Sequence, residues 1–286
     1  MFSTRLLSLL LICGSIPAMA AEPEKVELSY RFQRGQKVKY EVSTSDRYEI
    51  NIRGNLDEPA SKQVSTKFYE VLEVLPNGSA RLALTFESLK LDIVQNGDTL
   101  TYDSQEPSKV DPKLAQMAGM GAAFGIIGRP YLQVTISPKG QVSEIESLIG
   151  EKPDEISPTA REVLPELPDD PVAVGDSWDE EYEVPVRVSQ EGELKRPIKI
   201  QRRYTLESIV DGIATIRQKT RILTSVSDPD QELQLLRRTP SGTIVLDLNE
   251  GLLVKREISH EKRVVGFGQG ANALKFAQEH RETLIR

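Results

Sequence analysis

Apolar and polar residues alternate one for one along most of this chain. A period of two commits such stretches to β-strands with one buried face and one wet face. Val26, Leu28, Tyr30 and Phe32 alternate with Lys25, Glu27, Ser29 and Arg31, and Val38, Tyr40 and Val42 resume the pattern after a turn at Gly35. Leu82, Leu84 and Phe86 share one face, and the phase then flips to Leu89, Leu91 and Ile93. A one-residue slip exchanges the two faces of a strand, so the flip predicts a bulge or bend near Ser88. Ile198, Ile200, Tyr204 and Leu206, then Ala214, Ile216, Thr220 and Ile222, then Ile244, Leu246 and Leu248, then Leu252, Val254, Arg256 and Ile258 continue the series. Turn residues fall between the runs: Pro76-Asn77-Gly78, Asn96-Gly97-Asp98, Pro138-Lys139-Gly140, Asp211-Gly212 and Asn249-Glu250-Gly251.

The two halves of the chain echo each other. Gly35-Gln36-Lys37-Val38-x-Tyr40-x-Val42 parallels Gly175-Asp176-Ser177-Trp178, which runs on to Tyr182-x-Val184. Tyr69-x-Val71-x-x-Val74, Gly78 and Ala80-x-Leu82 parallel Tyr204-x-Leu206-x-x-Ile209, Gly212 and Ala214-x-Ile216. Gly97 with Thr99 to Asp103 pairs with Gly242 with Thr243 to Asp247, and the hairpin turns at Gly140 and Gly251 correspond. Four landmarks in one order indicate an internal duplication. The expected fold class is mainly β: two antiparallel meander repeats forming curved sheets or a partly open barrel, with one or two short helices. The first repeat is expected over residues 21–165 and the second over 166–286.

The first repeat carries an insertion at 111–127. Asp111-Pro112 opens a helix, and Leu114, Met117, Ala118 and Ala122 fall on one helical face. Gly119, Gly121 and Gly125 each cost about 1 kcal/mol against alanine in a helix. The segment is therefore either a plug over an open end of the sheet or an adaptable cover over an apolar groove. A second short helix is expected from Ser157-Pro158, leading to the connector Leu164-Pro165-Glu166-Leu167-Pro168 between the halves.

The stretch Leu167-Pro168-Asp169-Asp170-Pro171-Val172-x-Val174-Gly175-Asp176-Ser177-Trp178 follows a strand and turn at Pro130-Tyr131-x-x-Val134-x-Ile136-Ser137-Pro138-x-Gly140. Together they resemble a family of exported bacterial proteins of unknown function. The resemblance spans most of the chain and its motifs are structural, so it implies an architecture and no chemistry. By shape alone, curved sheets under helices are also similar to periplasmic lipoprotein carriers, an analogy that says little about function.

Residues 1–20 read as a cleavable signal: Arg5, an apolar run from Leu6 to Ser15, then Pro17 and Ala18-Met19-Ala20. The apolar run is shorter than the roughly 20 residues that span a bilayer. Ile12 precedes Cys13 where a lipoprotein signal has a small residue, so cleavage after Ala20 is expected, removing the single cysteine. The product is exported to the periplasm, envelope or medium, without disulfides and not membrane-spanning. The formal net charge of −7 argues against nucleic acid and against anionic membrane surfaces as partners.

No catalytic constellation is visible. His260 and His280 lie in polar, charged stretches without metal-ligand spacing and are expected to be solvated. No Gly-x-Ser-x-Gly elbow and no cofactor motif is present. The acidic run from Asp169 to Glu181 lacks the spacing of a calcium loop and is expected to be a solvated connector. Trp178, the single tryptophan, follows a Gly-Asp turn, where it serves as a core anchor or stacks on a ligand. The expectation is a non-catalytic binding protein for an apolar or lipid-like ligand, with Met117, Met120, Phe124, Ile127 and Trp178 as binding residues. The alternative is an envelope scaffold that recruits another protein. Catalytic residues, metal and cofactor are expected to be absent.

Overall fold

The computed structural model describes residues 24–116, 124–149, 163–188, 194–268 and 270–286. The first run of strands is β1 (Lys37–Ile52), β2 (Asn55–Asp57), β3 (Ala60–Val74), β4 (Ala80–Gln95), β5 (Asp98–Asp103), β6 (Pro130–Ile136) and β7 (Val142–Ser147). The second is β8 (Ser177–Arg187), β9 (Lys195–Val210), β10 (Ile213–Ile222), β11 (Ser241–Asp247), β12 (Leu252–Val265) and β13 (Ala273–Ile285). Among the described residues two short α-helices interrupt them, α1 (Pro112–Gln116) and α2 (Pro229–Gln234). Among the described residues the thirteen strands form one open antiparallel sheet in the order β7-β6-β4-β3-β1-β13-β12-β11-β10-β9-β8, with β2 and β5 as side hairpins on β1 and β4. The protein is mainly β, and its two meanders are joined side by side by β13, which pairs with β1 on one side and β12 on the other.

Local chemistry explains the path. Asp211 and Gly212 both have positive φ, 51° and 78°, the backbone that a two-residue hairpin matched to strand twist requires. The phase flip in β4 is a bulge: Thr66 faces Ser88 and Lys67 faces Phe86, leaving Glu87 as the extra residue. Asp111 caps α1, its carboxylate accepting from the Lys113 N–H at 2.8 Å. Asp228 and Pro229 open α2 in the same way.

The inner face of the curved sheet holds one main core drawn from both meanders, including Tyr40, Tyr69, Leu82, Tyr204, Leu206, Ile216 and Leu246. Two segments thread it. The alternation at residues 26–32 is realised as an extended segment rather than a strand. Its bonds go to turn tips instead of along a neighbour: Tyr30 N–H to Pro138 O at 2.7 Å and Arg31 N–H to Gly251 O at 3.1 Å, with only Val26 bridging Val172. The connector is not a surface linker either. Val163, Leu164 and Leu167 are buried in the core, and the Tyr30 hydroxyl donates to Pro165 O at 2.9 Å. Close approach at the two turns leaves no room for side chains: a Cβ on Gly140 would lie 2.5 Å from Pro165 O, and one on Gly251 2.6 Å from Arg31 N.

Beyond the main core, each meander has a satellite cluster. Leu91, Leu100 and Tyr102 are covered by Leu114 of α1, and Val186, Ile198 and Ile200 by Leu235 after α2. The predicted helix near Ser157 lies outside the described residues.

At some of the echoed positions the local contacts are alike. Val71 bonds Gly35 and Gln36 (2.8 and 2.9 Å) as Leu206 bonds Gly175 and Asp176 (2.7 and 3.0 Å). Val38 faces Tyr69 as Trp178 faces Tyr204. One expected correspondence is misplaced. Thr99 to Asp103 form β5, a side hairpin on the outer half of β4, whereas Thr243 to Asp247 belong to β11. The strand that meets Ala80 as β11 meets Ala214 is β6, because Ala80 faces Ile136 and Ala214 faces Leu246.

Candidate functional site

The expected ligand-binding residues fall in two separate places. Met117 and Met120 lie outside the described residues. Phe124 stacks on Tyr102, ring centroids 3.7 Å apart, and packs on the cluster under α1. Ile127 is half-buried in the following turn, its N–H donating to Phe124 O. Trp178 packs against the main core, stacked on Tyr204 at 5.5 Å, and its indole N–H donates to Glu166 O at 3.2 Å. Phe124 and Trp178 thus serve different clusters and share no site. The acidic run divides as well. Asp169 and Asp170 are exposed, Asp176 accepts from the Ala173 N–H, and Asp179 and Glu180 pair with Arg203 and Arg202.

The inner face carries a polar belt that sequence reasoning missed. Lys67 reaches Glu282 at 2.7 Å, and Glu282 is 3% exposed. Burial pushes the Glu282 carboxyl up, but Lys67, Arg256 and His280 together bring it below its ordinary value. In the other meander Arg202 pairs with Glu180 at 3.0 Å and lies over the Tyr182 ring. The signal was readable: Lys67 and Arg202 each stand two residues before the matched Tyr69 and Tyr204. Tyrosines surround the belt, and burial raises them, Tyr131 up to about 12. Beside Lys67, Tyr40 and Glu282 a cavity of about 10 Å3 remains, room for about one water. His260 is buried on the same face rather than solvated, because Leu236 to Thr239 fold over it. Burial lowers its pKa, while the Thr239 and Leu236 carbonyls and Lys262 are its other influences.

The larger space is on the outer face. A groove of about 580 Å3 crosses the central strands, lined by Ser43, Ser45, Lys62, Thr243, Glu257, Ser259, Glu279 and Arg281, with Gly242, Ile258 and His280 also reaching it. Strand register builds it from two rows running across the sheet. One row is Ser241, Ser259, Glu279, Ser45 and Lys62; the other is Thr243, Glu257, Arg281 and Ser43. Serine and threonine side chains of β1, β11 and β12 alternate along these rows with charged ones, Glu279 and Arg281 of the central strand β13 and Glu257 of β12. The carboxylates are engaged: Glu257 with Arg281 at 2.8 Å and Lys255 at 2.9 Å, Glu279 with Arg47 at 2.8 Å. The Lys255 hydrogen bond, with the Arg281 charge, holds the Glu257 carboxyl below its ordinary range. Lys62 makes no ion pair among the described residues, although Asp92 stands opposite it on β4. A volume of this size suits a small ligand, and the lining suits a polar one.

Among solved structures, the chain is similar to lipovitellin, determined for its lipid–protein interactions, at 10% identity and a TM-score of 0.48. The alignment covers 90% of this chain but only 26% of lipovitellin. It is also similar to DynF of the dynemicin biosynthesis pathway of Micromonospora chersina, at 6% identity and a TM-score of 0.20, covering 97% of this chain and 92% of that one. Neither likeness is close enough to bear on function. No curated protein matches. Residues 153–253 match the model of a family of unknown function, DUF6263.

Proposed function

We propose that this is an exported, non-catalytic binding protein of the periplasm or cell envelope, and that it holds a polar ligand in the outer groove. One observation carries the choice of face. The inside of the curved sheet is filled by the chain's own Leu28, Tyr30, Val163, Leu164 and Leu167, whereas the outside offers about 580 Å3 of polar-lined space. Export rests on the signal pattern at residues 1–20. An apolar ligand under the 111–127 insertion has less support, since Phe124 is already stacked on Tyr102. The matched bonds at Val71 and Leu206 favour a tandem duplication as the origin of the two meanders.

A second possibility is a scaffold that pairs a partner's strand onto a sheet edge. It is favoured by the open ends of the sheet at β7 and β8. Against it, β8 carries Asp179, Glu181, Glu183 and Pro185, residues that discourage strand addition.

Native mass spectrometry of the protein purified from its own envelope tests the binding function. A polar small molecule is expected on the wild type and absent from Ser45→Trp, which fills the groove. A co-purified lipid retained by Ser45→Trp would refute the choice of face.

A further inference from the structure

We propose that the outer groove binds a linear acidic oligosaccharide lying across the strands, an inference that rests on the binding function above. The direction follows from register. The floor strands β12, β13 and β1 are each hydrogen-bonded on both sides, so no peptide can add to them as a strand. An occupant must follow the transverse rows and bond to side chains alone. Those rows step from strand to strand at about 4.8 Å and present Ser43, Ser45, Ser259 and Thr243, hydroxyls that both donate and accept. That is complementary to a chain bearing hydroxyls along its length.

Charge supplies the second half. Lys62 stands at one end of the serine row, and at the other end Ser241 faces Lys219 of β10. Lys219, like Lys62, makes no ion pair among the described residues, while Glu257 and Glu279 are neutralised by arginines. These two lysines at the ends of the serine row, with Asp92 opposite Lys62 on β4 and the row's own Glu279 held by Arg47, favour carboxylates on the ligand. The lining has no Phe, Tyr or Trp to stack nucleic-acid bases, and Ile258 is its one large apolar residue, which disfavours lipid.

Titration calorimetry of the full chain tests this with three probes: a linear oligogalacturonate, neutral maltohexaose and a polyglutamate peptide. The oligogalacturonate is expected to bind, more weakly as salt rises, with maltohexaose and polyglutamate both clearly weaker. Lys62→Glu with Lys219→Glu should weaken it about tenfold or more at low salt, and Ser45→Trp should abolish it. Both changes are on the outer face, and a single cooperative melting transition checks that the variants fold, Lys62→Glu melting somewhat lower because it stands opposite Asp92. No binding of the oligogalacturonate, equal binding of polyglutamate, or binding indifferent to Ser45→Trp would overturn the proposal. A polar ligand of another class found on the native protein and lost in Ser45→Trp would overturn this inference alone and leave the binding function standing.

Discussion

Replacing Gln218 by leucine should stabilise the protein. Gln218 is fully buried on the inner face of β10, and among the described residues neither its amide nitrogen nor its oxygen has a hydrogen-bond partner. It sits opposite Tyr204, the place that Leu84 occupies opposite Tyr69 in the first meander. The sheet therefore accepts leucine at this kind of position, and the two side chains are close in size. A buried polar group left unpaired costs about 1–3 kcal/mol, which leucine would not incur. Gln218→Leu should thus gain about 1–3 kcal/mol, roughly 2–4 °C in melting temperature per kcal/mol for a chain of this size class. Urea unfolding followed by circular dichroism measures the gain, and the slope should stay unchanged, since the surface exposed on unfolding is the same. A loss of stability of similar size would refute the reasoning, because it would mean that the amide is satisfied in solution.

Glu282→Gln leaves Lys67 without its carboxylate beneath the sheet and should cost about 3–5 kcal/mol, read by the same urea assay. Because the Glu282 carboxyl is held below its ordinary value of 4.5, its contribution is present above that pH and lost as pH falls through the lower folded value. The wild type should therefore lose more stability than Glu282→Gln in that acid window. His260, lowered from its ordinary 6.5, works in the same direction nearer neutrality. Protonation favours the unfolded chain, so His260→Phe should flatten the fall in melting temperature below about pH 6.5. Gly140→Ala must hold a non-glycine residue at φ 85° against Pro165 O and should cost about 1–3 kcal/mol, whereas Gly97→Ala, with open space around it, should lose only the φ part of that penalty.

What was legible in the sequence was what period two and turn chemistry encode. The flip from Phe86 to Leu89 places a bulge near Ser88, where the structure has Glu87 as the extra residue, and Asp211-Gly212 places a hairpin. Alternation could not say whether an extended segment finds a strand partner. Val26 to Phe32 alternate correctly, yet they thread the core and bond to turn tips. Burial of the connector was hidden because its prolines read as a linker, although Leu164 and Leu167 are core residues. His260 looked solvated because its neighbours in sequence are charged, while the loop covering it lies more than twenty residues earlier. The groove was not legible at all. Ser43, Ser45 and Ser259 are ordinary outward-facing strand residues until the register of five strands puts them side by side.

A crystal structure of the protein purified from its native source, without added ligand, would test the proposed binding site most directly. The prediction is electron density for a polar molecule over Ser43, Ser45 and Ser259, within reach of Lys62. Density for a ligand beside Phe124 and Tyr102, with the outer groove empty, would contradict it.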